Sequence, residues 1–498
     1  MAKTRVAVIG AGLGGLSAAI SLAAKGFQVE IFEKNDRIGG KLNLLEKDGF
    51  RFDLGPSIFT LPQYFESLFA RAGKRLGDYV PLVAVRPHWR NFFEDGTRFD
   101  LDPDDAVQAR EFSKLAPGTW DDFRRFRAYS KAQYDLVAEG YFDRGIDGLR
   151  GLLSHYGPRR LFLGMDSLRS MDRSVRRFFR DPKAVDAFNY FIKYIGSSAN
   201  QAPGFMNLMP WIQYGYDLWY IPGGLYGLAR GLGKLAGELG IPLHLNAPVK
   251  RLDREGRRIS GLVLEDGREI KADLFVSNME ILPARRDLLG EDGAKLGKVG
   301  WMKPACSGLV IHLGTDRIYP QLAHHNFFYS KDQKKHFDRV FRRGLLPDDP
   351  TLYVVAPTRT DPGQAPAGCD NLKILPHIPP IDPKNPLMHA DYAALKDRVI
   401  DKLERMGLPD LRRHIILEDF WTPLDIEARY RSNRGSIYGV VSELGSNWGF
   451  KGSKRSGDLA NLYFTGGSVN PGAGMPMVVL CGQKVADAIT EDGFRAGA

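Results

Sequence analysis

Gly10, Gly12 and Gly15 stand in the G-x-G-x-x-G spacing, and an acidic residue, Glu33, follows one strand–helix–strand unit later. Residues of these types in this order hold a dinucleotide. Gly10 allows a tight turn, Gly12 lets a pyrophosphate come up against the backbone, and Gly15 lets a helix lie close on a strand. Leu13 and Gly14 belong to the helix start, whose free N–H groups and positive dipole end suit phosphates. Glu33, with Lys34 beside it, can take both hydroxyls of an adenosine ribose, and its charge repels a 2′-phosphate. The elements that position these groups read from pattern. Residues 6–9 (VAVI) are an apolar run suited to a strand buried on both faces. Residues 16–25 are rich in Ala and Leu and make a helix, and residues 28–32 make a second strand ending on Glu33. Residues 6–24 carry no charge and are long enough for a signal or membrane segment, but the glycines at 10, 12, 14 and 15 argue against a span. Export is not expected.

Three further glycine-bearing stretches carry chemistry. The first is Arg37-Ile38-Gly39-Gly40-Lys41, just past the acidic residue, and the second is Asp53-Leu54-Gly55-Pro56-Ser57. The third lies near the other end of the chain. There a strand at 458–464 leads into Gly466-Gly467-Ser468-Val469-Asn470-Pro471-Gly472-Ala473-Gly474-Met475-Pro476-Met477, and a helix over 478–489 follows. Glycines beside a helix start again offer close backbone approach and free N–H groups.

The first motif with Arg37 to Lys41 resembles the two-dinucleotide-binding flavoproteins of the amine oxidase type, in which the Gly39-Gly40 turn passes over the flavin pyrophosphate. Those proteins usually carry Arg where this chain has Lys41. The segment with Gly55, Pro56 and Ser57 runs beside the isoalloxazine in that superfamily. The ending N-L-Y-F-T-G-G-S-V-N-P-G-A-G-M-P resembles the bacterial carotenoid desaturases, the phytoene-desaturase-like branch, over nearly the whole chain. Many relatives have His where this chain has Asn470, and the G-G-S-x-x-P-G-x-G-x-P-M form is closer to desaturases of later, hydroxylated or C30 intermediates.

The resemblance implies a Rossmann-like α/β fold that binds FAD, with a mixed-sheet substrate domain and a helical, membrane-facing subdomain. It places the backbone of Val249 against the adenine, and Gly466, Gly467, Asn470, Gly474, Met475, Pro476 and Met477 around the flavin ring. The implied division assigns 1–80, 229–281 and 456–498 to FAD and 81–228 and 282–455 to substrate. The implied reaction removes a hydride and a proton from adjacent carbons of a long isoprenoid, with oxidised flavin as hydride acceptor and quinone or oxygen as the final acceptor. Delocalised charge on a polyene makes a strong protein base unnecessary. No catalytic side chain is named, and the chain has neither a Ser–His–Asp order nor a metal box.

Size and composition allow this. The 498 residues suffice for two or three domains, and 43% hydrophobic with 26% charged residues is ordinary for a globular protein. Cys306, Cys369 and Cys481 are scattered, without C-x-x-C or zinc spacing, which indicates a reducing compartment and no structural metal. The net charge of +10 points to nucleic acid, an acidic partner or an anionic membrane. No nucleic-acid motif is present, and an oily substrate must leave a bilayer, so the expected place is the cytoplasmic side of the cell membrane, peripherally bound.

Two stretches bear on that expectation. Residues 159–180 read as a basic amphipathic helix, with Leu161, Met165, Leu168, Met171, Val175 and Phe178 opposite Arg169, Arg173, Arg176, Arg177 and Arg180. Trp211, Tyr214, Tyr216, Trp219 and Tyr220 suit either a membrane boundary or the wall of an apolar tunnel. A strand over 244–249, a hairpin turning at Asp266-Gly267 and a strand over 273–277 lead back to the nucleotide domain. His324 and His325 are adjacent on a strand and cannot both line one pocket.

Other functions are weighed against this one. A related isomerase, saturase or terminal oxidase would act on the same polyene. An amine oxidase is disfavoured because an Arg-rich domain repels an ammonium. A prenyl-binding carrier resembling the Rab GDP-dissociation inhibitors would use no flavin.

Overall fold

The computed structural model describes residues 3–447 and 449–497, with the side chains of Leu149 and Lys298 left aside. One half of it is built on a five-stranded parallel sheet drawn from distant parts of the chain. The spatial order is Leu462–Phe464, Leu274–Ser277, Arg5–Ile9, Gln28–Phe32 and Leu243–His244. Arg5–Ile9 is central: Val8 pairs with Val276 on one side and Ile31 on the other. Its apolar run is needed because both faces are covered.

The helix Leu13–Ala24 crosses over this sheet and packs against the C-terminal helix Met475–Glu491. The backbones come so close that a Cβ on Gly482 would lie 2.5 Å from the Gly14 carbonyl oxygen. Ser17 Oγ donates to the Val479 carbonyl at 2.5 Å across the same seam. The two ends of the polypeptide are thus one structural unit.

The second sheet is mixed. Its order is Ile415–Trp421, Val310–Thr315, Asp370–Ile378, Leu352–Val355, His325–Phe328, Trp89–Phe92 and Arg98–Leu101, with the short Ser307–Gly308 pairing onto Asp370–Ile378. Only the pairing of His325–Phe328 with Trp89–Phe92 is parallel. Period-2 alternation divides its residues. Ile311, Leu313, Val354, Leu372 and Ile374 form one core with Leu395, Val399, Ile400 and Leu403 of the helix His389–Arg405. Val310, Tyr353, Lys373, Leu375 and His377 occupy the opposite face and look into a cavity.

The structure corrects several local expectations. Residues 159–180 do not form one helix. The helix Gly148–Arg159 contains a non-helical Gly157 (φ +70°) followed by Pro158, the chain then makes one wide turn over Arg160–Gly164, and a short helix restarts at Met171–Val175. Buried Asp166 pins the break by accepting from Tyr129 Oη at 2.8 Å and Ser174 Oγ at 2.5 Å. Leu161, Met165, Met171 and Val175 are buried, but Leu168 is 59% exposed, so the apolar stripe is split. The strand expected at 244–249 is two strands of different sheets, because Asn246 at φ +51° turns the chain between Leu243–His244 and Val249–Glu255. The C-terminal helix begins at Met475 rather than Val478, with Pro476 in its first turn where no amide donor is required. Among the described residues, no helix is long and apolar enough to cross a membrane.

Candidate functional site

One cavity of about 450 Å³ runs along the carboxyl ends of the parallel strands and under the open face of the mixed sheet. The carboxyl edge of a parallel sheet is where ligands of such folds bind. Both helix starts, at Leu13 and at Met475, open into this cavity.

At the nucleotide end, Gly10 (φ +92°) donates its N–H to the Phe32 carbonyl at 2.8 Å and makes the turn that brings Gly12 to the cavity wall. A Cβ on Gly12 would fall 2.5 Å from Asn278 Nδ2, so the bare glycine leaves room there for the Asn278 amide. Glu33 is 5% exposed and held from two sides. Oε2 accepts the Ala11 N–H at 2.8 Å and Oε1 the Asn35 N–H at 2.9 Å, which fixes the carboxylate at the wall with lone pairs to spare. Lys34 reaches the Ala428 carbonyl at 3.2 Å, and partial burial with Arg431 nearby lowers its pKa.

Toward the other end, Gly39, Gly40 and Lys41 face Gly466, Gly467 and the 474–477 turn across the cavity. Lys41 Nζ bonds Glu280 Oε1 at 3.1 Å and the Ser436 carbonyl at 2.8 Å. Lys373 bonds the Gly55 carbonyl and Ser57 Oγ, and burial pulls its pKa down to about 8 against the opposing field of Asp53. Lys451 bonds the Val440 carbonyl, and burial pulls it down to about 7. Beyond them the wall becomes apolar, with Phe205, Met206, Leu208, Met209 and Ile212 from the aromatic-rich stretch.

Most of the residues singled out in the sequence meet at this one cavity. Gly10, Gly12, Leu13, Gly14, Glu33, Lys34, Gly39, Gly40, Lys41, Gly55, Pro56, Ser57, Val249, Gly466, Gly467, Gly474, Met475, Pro476 and Met477 all line it. Three do not. Gly15 lies behind the wall, where a Cβ would meet the Gly10 carbonyl at 2.0 Å. Arg37 is half-buried outside the lining, with Nη1 donating to the Leu44 carbonyl at 3.5 Å and Asp36 3.7 Å away. Asn470 is buried behind the ring end, donating to Asp147 at 3.0 Å and accepting the Lys451 N–H at 2.8 Å. His324 and His325 also stay outside the lining, bonded to Thr360 at 2.7 Å and Tyr353 at 3.0 Å. Trp211, Tyr214, Tyr216 and Trp219 are half-buried in the packing and Tyr220 is buried, so it is their aliphatic neighbours that reach the cavity.

Sequence reasoning missed Asn278, Lys193, Tyr353, Lys373, His377 and Lys451. A signal existed for Asn278 alone. It follows the strand Leu274–Ser277 directly, at the carboxyl edge where such sheets bind ligands.

The bare glycine wall, the pinned acid and two helix starts fit a dinucleotide carrying a ring system, which is the site of a two-dinucleotide-binding flavoprotein. The whole-chain comparisons agree with that class. Residues 13–490 match the family described as flavin containing amine oxidoreductase, and the chain belongs to it. It is 58% identical to the 4,4′-diapolycopene oxygenase of a Methylomonas species over 488 residues, covering 98% of each chain. It is 45% identical to the 4,4′-diaponeurosporene oxygenase of Staphylococcus haemolyticus, covering 98% of this chain and 97% of that one. Among solved structures, wild-type putrescine oxidase bound to putrescine superimposes with a TM-score of 0.65 at 15% identity, over 98% of this chain and 99% of that one, a likeness of fold. The protein is an FAD-dependent oxidoreductase, which sets aside the flavin-free carrier.

Proposed function

We propose that this protein oxidises the chain ends of a long acyclic carotenoid, as an oxygenase. The observation that carries this reading is 58% identity to a 4,4′-diapolycopene oxygenase over 98% of both chains. The apolar arm of the cavity supports it, since a hydrocarbon needs shape and dryness rather than polar partners. When bound, FAD supplies the two-electron oxidation. The chain's own residues bind and orient. Glu33 takes the ribose hydroxyls, the turns at Gly12 and Gly40 admit the pyrophosphate, and Val249 offers backbone to the adenine. Lys373 ties the Gly55–Ser57 turn to the substrate sheet, so the ring end and the polyene wall keep one spacing. Dioxygen would then supply the inserted oxygen atom as well as accept electrons, whereas quinone as acceptor suits only the double-bond reading below.

Domain roles follow the same reading. Segments 1–80, 229–281 and 456–498 hold the flavin, supported by the parallel sheet drawing all its strands from them. Segments 81–228 and 282–455 hold substrate. Peripheral attachment to the inner face of the cell membrane is supported by Leu163 and Leu168, 72% and 59% exposed, set among exposed Arg159, Arg160, Arg169 and Arg173.

A second reading, insertion of double bonds into the same hydrocarbon, is supported by the G-G-S-x-x-P-G-x-G-x-P-M ending. Products separate the two. Cells making diapolycopene, or its less unsaturated precursors, are given this chain and their pigments resolved by chromatography and mass. Oxygen-bearing products support the oxygenase, longer conjugation without oxygen supports the desaturase, and unchanged pigments refute both.

A further inference from the structure

Lys193 is a buried lysine with no carboxylate partner, set in the wall of the cavity. It belongs to the single turn Tyr190–Tyr194 and is 5% exposed. Its Nζ lies 4.1 Å from the ring centre of Tyr353, 4.6 Å from those of Tyr194 and Phe327, and 4.7 Å from that of Trp89. Among the described residues Nζ makes neither a hydrogen bond nor an ion pair. Ring faces attract an ammonium but leave its N–H groups without an oxygen or nitrogen acceptor. Burial pulls its pKa well below the usual lysine range, and no carboxylate opposes this.

A second unpartnered polar atom stands on the same wall. His377 is two residues along its strand from Leu375, the cross-strand partner of Tyr353. Its Nδ1 lies 3.2 Å from Tyr190 Oη, while its buried Nε2 has no partner. Buried polar groups are ordinarily satisfied, so two unmet ones in the wall of one cavity call for a ligand atom. Both Lys193 and His377 line the cavity.

We infer that Lys193, with His377 on the same wall, forms a receptor for an oxygen-bearing chain end, a terminal carbonyl or hydroxyl. This rests on the reading of the cavity as a polyene channel and adds a selectivity to it. A hydrocarbon end leaves the Lys193 N–H groups unmet. An aldehyde or alcohol oxygen accepts from them in a dry, low-dielectric setting, where an unpaired donor is costly. The protein then favours a polyene already oxidised at one end, and oxidation of the other end follows the first with preference.

Lys193 is a positioning residue in this account, and binding tests it apart from turnover. FAD-loaded protein in detergent is titrated with diapolycopene and with its mono-aldehyde, read by quenching of tryptophan fluorescence. Wild type is expected to bind the aldehyde roughly 10-fold tighter or more. Lys193→Met fills the same space without a donor; it should equalise the two affinities, weakening binding of the aldehyde and tightening that of the hydrocarbon. Lys193→Gln keeps an N–H donor and should restore part of the preference. Equal preference in wild type and Lys193→Met overturns the assignment while leaving the polyene channel intact. Failure of wild type to bind either probe overturns the channel and this inference together.

Discussion

Lys373 Nζ lies 2.9 Å from Ser57 Oγ and also bonds the Gly55 carbonyl, so one buried side chain of the mixed sheet clamps the Gly55–Ser57 turn. The clamp carries a titration. Lys373 loses its proton near pH 8 in the folded chain, against about 10.4 when unfolded. Between those values the unfolded chain binds more protons, so stability rises with pH across that window. Below pH 8 both states are protonated, and the cost of the buried charge is fully present.

That sign gives the first prediction. The difference in melting midpoint between wild type and Lys373→Met should move in favour of wild type as pH rises from 8 to 10, by up to ~1.4 kcal/mol per pH unit. Parallel pH curves for the two proteins would show that Lys373 keeps an ordinary pKa.

Glu33 anchors its own turn and, in the function proposed, the ribose. Glu33→Ala leaves the Ala11 and Asn35 N–H groups without their acceptor and removes the charge-assisted contact to the cofactor. FAD affinity should fall roughly 10- to 100-fold, from ~1.5–3 kcal/mol per hydrogen bond to a charged group. The flavin-to-protein ratio after gel filtration measures it, and undiminished retention counts against the ribose contact.

The seam between the two chain ends should be intolerant of one methyl group. In Gly482→Ala the new Cβ would meet the Gly14 carbonyl at 2.5 Å and the Ala18 N at 2.6 Å, both backbone atoms that cannot swing aside. Overpacking of this kind costs ~1–3 kcal/mol or more. A melting midpoint lowered by several degrees, with FAD lost in parallel, is expected; an unchanged midpoint would mean that the helices separate freely.

Membrane attachment should depend on the broken basic segment. Neutralising Arg173, Arg176 and Arg177 should weaken binding to anionic vesicles by at most ~1 kcal/mol per charge, and less for Arg176, which pairs with Asp172 at 2.9 Å. Replacing exposed Leu163 and Leu168 with Asp should weaken it further. Vesicle sedimentation reads both, and parent-like binding by both variants removes the attachment site from this segment.

Much of the nucleotide half was legible because its instructions are local. The apolar run of Arg5–Ile9, the glycine spacing and the helix Leu13–Ala24 depend on neighbours in sequence, and the parallel pairing of Arg5–Ile9 with Gln28–Phe32 follows from them. The Gly55–Ser57 and Gly466–Met477 stretches were legible as a resemblance. The basic segment misled because periodicity records spacing and not continuity. Leu161, Met165, Leu168 and Met171 keep helical spacing, yet the wide turn over Arg160–Gly164 and the bonds at Asp166 break the helix among them.

The sequence by itself determined the class of cofactor and picked out the glycines, acid and helix starts that meet at one cavity, since each is a matter of local backbone freedom and charge. Only the tertiary structure decided that Lys193, Lys373 and Lys451 sit in the cavity wall with lowered pKa values. A lysine in sequence carries no mark of burial. Its desolvation is set by rings and strands that come from far along the chain, as Tyr353 and Phe327 do around Lys193.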